Sequence, residues 1–224
     1  AGVMNVFISK NTLDLDEIPS LLSAKGITGI YQSLIRFESI PIKIEAEFEV
    51  VFFPSIRSAK FLIDSSKIKL SSYILACHGI QTQKRLRELG YTCDFVAENA
   101  GNPEEVSKSF SSWLGERKVL VPHSNISSLS VTKHLNNNQL TTLEVYKTVF
   151  SKSNIEQCDI YVFSSPSNIQ SFFKSNTIKP GSKLIVWGNT SLKSLNEYGY
   201  RADFTLKQGS IDELKFLLES ILTT

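Results

Sequence analysis

The sequence has few of the residues that hold disulfides or metals, and it lacks the runs that mark membranes or polyanion binding. Its three cysteines (Cys77, Cys93 and Cys158) form neither a CxxC pair nor an even set, so we expect a reducing compartment, the cytoplasm. The three histidines lack the spacing of metal ligands, and no carboxylate cluster accompanies them. No apolar stretch approaches the roughly 18 to 20 residues of a membrane span. A net charge of +2 without a Lys/Arg-rich run argues against nucleic acid.

Common catalytic motifs are also missing. The chain has no G-x-S-x-G, no P-loop and no G-x-G-x-x-G. Cys77 and His78 are adjacent, but neighbouring residues of a strand point to opposite faces, so they cannot form a nucleophile–base pair. Cys77 is therefore expected to be a small core residue. We expect no metal, no cofactor and no covalent nucleophile.

An internal repeat is the strongest positive signal. Residues 89–95 and 198–204 share the pattern Gly-Tyr-x-x-Asp-Phe, and the match extends upstream to residues 79–82 and 188–191. With two copies the repeat predicts a pair of similar lobes rather than a solenoid. The glycine of each copy is expected to end a helix, and the tyrosine after it to start a strand.

Short apolar runs alternate with helical patterns of period near 3.6. The strands are expected at residues 5–9, 49–53, 73–78, 118–122, 159–163 and 183–188. Among the helices expected are residues 82–89, 103–114 and 210–222. This alternation predicts an α/β fold of two lobes, each a parallel sheet flanked by helices.

The domain boundary has two interpretations. Residues 5–10 resemble residues 118–123, and each segment is followed by a polar loop and a helix. A cut near Glu116 would give two contiguous domains. In the alternative, the first strand pair crosses over to join the other lobe.

The loops that follow the predicted strands are rich in Ser, Thr, Asn and Gly. Ligands of parallel sheets bind outside the carboxyl ends of the strands, where helix N-termini favour anions. The same residue types also cap helices, and capping alone would explain any single one. Six such loops, three in each lobe, favour a cleft that binds something large and anionic.

Several collinear motifs together resemble the uroporphyrinogen-III synthase family, and they cover nearly the whole chain. They are Phe53-Pro54-Ser55, Gly79-x-x-Thr82, Val119-Leu120-Val121-Pro122, Val145-Tyr146-Lys147-Thr148, Phe163-Ser164-Ser165-Pro166-Ser167 and Gly188-Asn189-Thr190-Ser191. The resemblance implies the cyclisation of hydroxymethylbilane, a carboxylate-rich linear tetrapyrrole of haem biosynthesis, to uroporphyrinogen III. Water is lost to give an azafulvene on ring A, and ring D is inverted through a spiro intermediate.

The resemblance also implies roles for residues. Tyr146 matches the tyrosine of the family's Val-Tyr-x-Thr segment and is the expected proton donor to the departing hydroxyl, the alternative being an aromatic packing residue at the hinge. Substrate contacts are expected from Lys10, Ser55, Arg57, His78, Gly79, Thr82, Ser124, Ser165, Ser167, Asn168, Gly188, Thr190 and Ser191. Lys10 and Arg57 are the expected partners of substrate carboxylates, although each is also the type of charge that solvent alone surrounds.

The implied organisation is discontinuous. One lobe comprises residues 1–35 and 149–224, the other residues 38–146, and a two-stranded hinge lies near 36–37 and 146–148. A monomer is expected, with a transient contact to the preceding enzyme, hydroxymethylbilane synthase.

A rival function stays open at the level of sequence. Where the family often has Thr-Arg and Phe-Thr-Ser, this chain has Ser9-Lys10 and Phe53-Pro54-Ser55. Pro54 removes a backbone donor and a hydroxyl. These departures are compatible with a non-catalytic two-lobed module that binds an anionic small molecule without turnover.

Overall fold

The computed structural model describes residues 2–98 and 103–223. The strands are β1 (Asn5–Ile8), β2 (Thr28–Tyr31), β3 (Ile35–Ser39), β4 (Val50–Phe53), β5 (Ile74–His78), β6 (Phe95–Ala97), β7 (Val119–Ser124), β8 (Leu140–Phe150), β9 (Ile160–Phe163), β10 (Lys183–Val186) and β11 (Phe204–Thr205). The α-helices are α1 (Ile18–Ala24), α2 (Ile56–Ser65), α3 (Ile80–Glu88), α4 (Pro103–Leu114), α5 (Pro166–Phe173), α6 (Asn189–Glu197) and α7 (Ile211–Leu222).

The chain divides into two compact units. Unit 1 comprises Ala1–Arg36 and Val149–Thr224, and unit 2 comprises Phe37–Thr148. The first and last residues, Ala1 and Thr224, lie outside the described residues. The chain leaves unit 1 within β3 and returns to it within β8.

Unit 1 contains a five-stranded sheet of order β2-β1-β9-β10-β11, in which all neighbours are parallel. Alternate strand residues pack on its two faces. Val6, Ile8 and Ile185 lie in a core with α1 and α7, whereas Phe7 and Phe163 lie in a second core with α5 and α6. Both faces of the sheet are therefore covered by helices.

Unit 2 contains a six-stranded sheet of order β3-β8-β7-β4-β5-β6. The five strands from β8 to β6 are parallel to their neighbours. Val51 and Phe53 pack toward α2 and α3, and Val50 and Phe52 pack toward α4. All four residues are fully buried. Because β4 is buried on both faces, its sequence is an unbroken run of apolar residues. The predicted α/β class, with parallel sheets between helices, is confirmed.

The repeated Gly-Tyr segments end α3 and α6. Gly90 has φ of 89° and Gly199 has φ of 84°, the left-handed region that favours glycine. In the first copy the Gly90 N–H donates to Arg87 and the Tyr91 N–H donates to Leu86, and the second copy has the same two bonds. This pattern is a Schellman motif.

One detail of the repeat prediction was wrong. Tyr91 and Tyr200 do not start strands, because β6 begins at Phe95 and β11 at Phe204. Each tyrosine instead follows the helix-ending glycine and packs onto its unit's hydrophobic core. A hydrophobic contact at this position commonly accompanies the Schellman motif, so the tyrosines belong to helix termination.

Candidate active site

Both sheets have a point at which the strand order reverses. In unit 1 it lies between β1 and β9, and in unit 2 between β4 and β7. Because the strands on either side are parallel, their carboxyl ends meet at one edge of each sheet. Ligands of open α/β sheets bind at that edge, next to the reversal point. We refer to these two places as the carboxyl edge of unit 1 and of unit 2.

About half of the expected substrate contacts lie at the carboxyl edge of unit 1. They follow three adjacent strands: Lys10 after β1; Ser165, Ser167 and Asn168 after β9; and Gly188, Thr190 and Ser191 after β10. The β1 and β9 loops are joined by serine side chains. The Ser164 hydroxyl donates to the Ser9 carbonyl oxygen at 2.8 Å, and the Ser164 N–H donates to Ser9 Oγ at 2.8 Å. The loops at the reversal point are thus held together.

Two expected contacts in unit 1 are buried. Asn168 is 3% exposed; its Oδ1 accepts the Leu34 N–H at 2.8 Å and its Nδ2 donates to Ser165 Oγ at 3.0 Å. Ser191 is 2% exposed. Ser165 caps α5 by accepting the Asn168 N–H at 3.2 Å, and Ser167 Oγ lies 3.1 Å from Ser165 Oγ. Asn168 and Ser165 thus have structural hydrogen bonds here, while Thr190 is exposed at the edge.

Lys10 lies beside an aromatic ring that sequence reasoning missed. Its ammonium is 4.9 Å from the centre of the Trp187 ring, and Trp187 directly follows β10 at the same edge. A cation over an indole face is attracted by the ring quadrupole. Gly209 leaves room for this ring, since a Cβ there would lie 3.0 Å from Trp187 Cδ1.

The remaining expected contacts lie in unit 2. Ser55 caps α2 by accepting the Ser58 N–H at 3.2 Å. His78 is the last residue of β5. Gly79, with φ of 84°, directly precedes α3, and Thr82 lies in the first turn of that helix. Ser124 ends β7, is 3% exposed and shares a hydrogen bond of 2.9 Å with the Ser127 hydroxyl. β4, β5 and β7 are adjacent in the sheet, so these residues share one edge.

Partial burial lowers the pKa of His78 below its ordinary value of 6.5. Below pH 6.5 the unfolded chain therefore binds a proton at this residue that the folded chain does not. We expect the free energy of unfolding to fall as the pH is lowered from 6.5 towards the pKa of folded His78, and to be unaffected by His78 above pH 6.5. Urea titrations at pH 7.5 and 5.5 test this. His78→Gln should reduce the difference between the two pH values, and an unchanged difference would contradict the assignment.

A register shift places Tyr146 at the carboxyl edge of unit 2. Along the β7–β8 pair, His123 is opposite Glu144, but Ser124 is opposite Tyr146. Val145 is the extra residue of this bulge, and Val145 and Tyr146 both pack into the core beside α2 and α3. Bulges re-aim side chains and are common next to active sites. The long strand β8 thereby brings Tyr146 level with the last residue of β7.

Tyr146 is packed between aromatic rings. Its ring is stacked on Phe61 of α2, with centres 4.8 Å apart, and meets Phe37 of β3 edge-on at 5.8 Å. The Arg57 guanidinium lies over the Phe37 ring, 3.7 Å from its centre. Side chains from β8, β3 and α2 thus bring together the two residues expected to do proton transfer and carboxylate binding. Sequence reasoning missed Phe37 and Phe61 as part of this group.

The Tyr146 hydroxyl has no hydrogen-bond partner among the described residues. In that part of the chain, the one fully buried side-chain oxygen or nitrogen without a partner is Ser194 Oγ. The Tyr146 side chain is 5% exposed. The ring is therefore buried, whereas the hydroxyl oxygen is not among the fully enclosed atoms.

Two cysteines that are distant in sequence meet in unit 2. Cys77 is buried in β5, and its thiol donates to the Gly79 carbonyl oxygen at 3.8 Å. The side-chain interaction between the two thiols raises the pKa of Cys77 and lowers that of Cys93. Burial and the nearby carboxylates raise the pKa of Cys158 to about 11. Cys77 makes no pair with His78 among the described contacts, in agreement with its expected core role.

These thiols should differ in reactivity. In the native protein at pH 8, Cys93 should react with an aromatic disulfide reagent well before Cys77 and Cys158, because it is partly exposed and has the lowered pKa. Absorbance of the released thiolate measures this. Cys93→Ser should remove the fast phase, and a fast phase that survives would show that another thiol is the reactive one.

Neither a metal centre nor a spanning helix was found in the described part of the chain. Residues 2–98 and 103–223 contain no group of three or more His, Cys, Asp and Glu side chains placed to hold a metal ion. None of the helices in these ranges is long and apolar enough to cross a bilayer.

Comparison with known proteins identifies the family. The family model described as uroporphyrinogen-III synthase HemD matches residues 16–215, most of the chain. The chain belongs to the uroporphyrinogen-III synthase family. It is therefore an enzyme that cyclises the linear tetrapyrrole hydroxymethylbilane to uroporphyrinogen III, with loss of water and inversion of ring D. The resemblance carried by the collinear motifs is confirmed.

Solved structures agree on the fold of the synthase. The uroporphyrinogen-III synthetase of Helicobacter pylori superposes with a TM-score of 0.70 at 16% identity, covering 98% of this chain and 100% of that one. A mutant synthase from the extremely thermophilic bacterium Thermus thermophilus gives a TM-score of 0.69 at 12% identity, covering 99% and 100%. At these identities the likeness shows the fold. No curated protein matches significantly in sequence.

Proposed function

We propose that this synthase binds hydroxymethylbilane at the carboxyl edges of its two sheets and that Tyr146 assists the departure of water. The observation that carries the proposal is the Tyr146 side chain: a buried ring whose hydroxyl has no partner among the described residues, level with the end of β7. An unpartnered phenol at a ligand-binding edge is available to donate a hydrogen bond to a bound molecule.

The proposed proton transfer balances. The Tyr146 phenol donates its proton to the terminal hydroxyl of the substrate, the carbon–oxygen bond breaks and water departs. Ring A becomes a protonated azafulvene that retains its N–H, and Tyr146 becomes a phenolate. Because the net reaction releases only water, the proton has to return from ring D when its pyrrole regains aromaticity. Tyr146 thus ends the cycle as a phenol.

Carboxylate recognition is proposed for both edges. Lys10 and Arg57 provide the cations, and each side chain lies against an aromatic ring at its edge. Helix N-termini at α2, α3, α5 and α6 favour anions in the same places. The hydroxyls and backbone amides that line these turns are proposed to bind the remaining carboxylates and the pyrrole nitrogens: Ser55, His78, Gly79, Thr82, Ser124, Ser165, Ser167, Asn168, Gly188, Thr190 and Ser191.

Orientation is proposed to be the main source of catalysis. Free hydroxymethylbilane closes without inversion, so the enzyme's task is to hold the reacting ends in the inverted geometry. Holding reactants in place contributes up to about 7 to 11 kcal/mol without a covalent intermediate.

We also propose that residues 1–35 with 149–224 and residues 38–146 form the two lobes, with a hinge near 36–37 and 146–148. A cytoplasmic monomer that transiently contacts hydroxymethylbilane synthase completes the proposal.

One assay tests the proposal directly. Freshly generated hydroxymethylbilane is supplied, the products are oxidised, and the ratio of isomer III to isomer I is measured. The synthase should yield mainly isomer III, whereas a reaction without protein yields isomer I. If the protein bound the substrate but isomer I alone were formed, it would act as a binding module without turnover.

A further inference from the structure

The neighbours of Tyr146 form one continuous aromatic group. Phe61 stacks on the Tyr146 ring with an interplanar angle of 16°, and Phe37 meets it at 79°. The Arg57 guanidinium covers Phe37 at 3.7 Å. We call the residues Phe37, Arg57, Phe61 and Tyr146 the aromatic clamp. Its members come from three elements of unit 2, and its contacts lie within that unit.

We propose that Phe37 and Phe61 are positioning residues for the cyclisation: Phe61 sets the orientation of the Tyr146 phenol, and Phe37 sets that of the Arg57 guanidinium. The inference rests on the proposed role of Tyr146 and adds to it the two residues that make the role possible.

The Tyr146 ring needs such support because its strand does not determine where the ring points. The bulge at Val145 interrupts the alternation of β8, so Val145 and Tyr146 face the same core. Phe61 stacks on one face of the Tyr146 ring and Phe37 meets the ring edge-on, so the ring has little freedom to rotate about its side-chain torsions. Proton donation depends on the position of the Tyr146 hydroxyl, because a misplacement of about 1 Å costs on the order of 100-fold in rate.

Arg57 needs support for a different reason. The residue is exposed in the first turn of α2, where its long side chain is otherwise free to adopt many rotamers. Stacking on Phe37 holds the planar guanidinium in one place while leaving its N–H donors available to a carboxylate. Phe37 is therefore shared: one ring contacts both the proposed proton donor and the proposed carboxylate anchor.

Phe61→Leu tests the first half of the inference. We expect kcat to fall about 10-fold to 100-fold while KM changes little, with a larger fraction of isomer I. The effect should disappear in a Tyr146→Phe background, because Phe61 is proposed to act through the phenol. Phe48→Leu is the matched control: Phe48 stacks on Tyr73 at the same 4.8 Å, but both residues precede their strands at the opposite end of the sheet. It should leave kcat and the isomer ratio unchanged.

Phe37→Leu and Arg57→Lys test the second half. Lysine keeps the charge but cannot stack as a plane, so both variants should raise KM by about 3-fold to 10-fold, and the double variant should be no worse than the more affected single one. Independent effects that multiply would contradict the proposed coupling of Phe37 to Arg57.

The outcomes separate this inference from the proposed function. If Tyr146→Phe retains full kcat and isomer III, the role of Tyr146 is wrong. If Tyr146→Phe lowers kcat but Phe61→Leu lowers it by the same factor with and without the phenol, Tyr146 keeps its role and the positioning role of Phe61 is overturned. Circular dichroism and urea unfolding of each variant identify a loss that comes from unfolding. If Phe61→Leu does not fold, Phe61→Tyr, which keeps the stacked ring, should retain kcat, and a 10-fold loss in that folded variant would overturn the inference.

Discussion

Tyr146→Phe is expected to lower kcat for isomer III by about 10²-fold to 10⁴-fold, the usual contribution of a general acid. The substitution keeps the ring, and with it the contacts to Phe37 and Phe61. It removes a hydroxyl that has no partner among the described residues, so stability should change little. KM should stay nearly constant, because the lost interaction forms at the departing hydroxyl. Single-turnover formation of isomers III and I from hydroxymethylbilane measures the effect.

Tyr73→Phe is the control for this substitution. Tyr73 is also a tyrosine of unit 2 stacked on a phenylalanine, but it precedes β5 and so lies at the amino end of the sheet. Its kcat should equal that of the unmodified synthase. A loss of similar size in both variants would mean that removal of a phenol anywhere in the unit disturbs the fold, and Tyr146 would have no special role.

Phe172→Ala is expected to lower the free energy of unfolding of unit 1 by about 3 to 5 kcal/mol, the usual cost of deleting a buried phenylalanine ring. Phe172 is fully buried, and its ring lies 5.1 Å from Phe163, 5.5 Å from Tyr161 and 5.9 Å from Phe7. These rings come from β1, β9 and α5, so the cavity would open where the helix meets the two strands at the reversal point.

The two tryptophans allow this loss to be assigned to unit 1. Trp187 lies in unit 1 and Trp113 in unit 2. In a Trp113→Phe background, urea unfolding followed by fluorescence therefore reports on unit 1 alone. Phe216→Ala on α7 is the matched control, since that ring is 75% exposed and its loss should cost no more than about 0.5 kcal/mol. Equal losses in the two variants would contradict the assigned core.

Much of the fold follows from local patterns that the sequence displays directly. Val50 to Phe53 form a run of four apolar residues because helices cover both faces of their strand. Ser210, followed by Asp212 and Glu213, predicts the start of α7, where the Ser210 hydroxyl indeed accepts the Glu213 N–H. Gly90 and Gly199 predict helix ends because only a residue without Cβ adopts their backbone at no cost. Each of these signals depends on a few neighbouring residues, so it can be recognised from the sequence alone.

The candidate site depended on tertiary structure in specific ways. Asn168 and Thr190 both lie in the first turn of a helix that follows a strand, yet Asn168 is buried with Leu34 as its partner and Thr190 is exposed. Cys77 and Cys93 are 16 positions apart in sequence, yet each shifts the pKa of the other, because Cys77 lies in β5 and Cys93 shortly precedes its parallel neighbour β6. Partners of this kind are set by strand order, which no local pattern encodes.

By itself the sequence determined the α/β class, the pair of similar lobes, the residue types of the strand-end loops and, through the collinear motifs, the synthase family. Only the tertiary structure decided that Tyr146 of β8 lies opposite Ser124, the last residue of β7, and that its ring stacks on Phe61. The same holds for Arg57, which lies over the Phe37 ring that contacts Tyr146. The physical reason is the bulge at Val145: it moves the next side chain onto another face, and whether a bulge forms depends on how β8 pairs with β7 rather than on the residues of β8 alone.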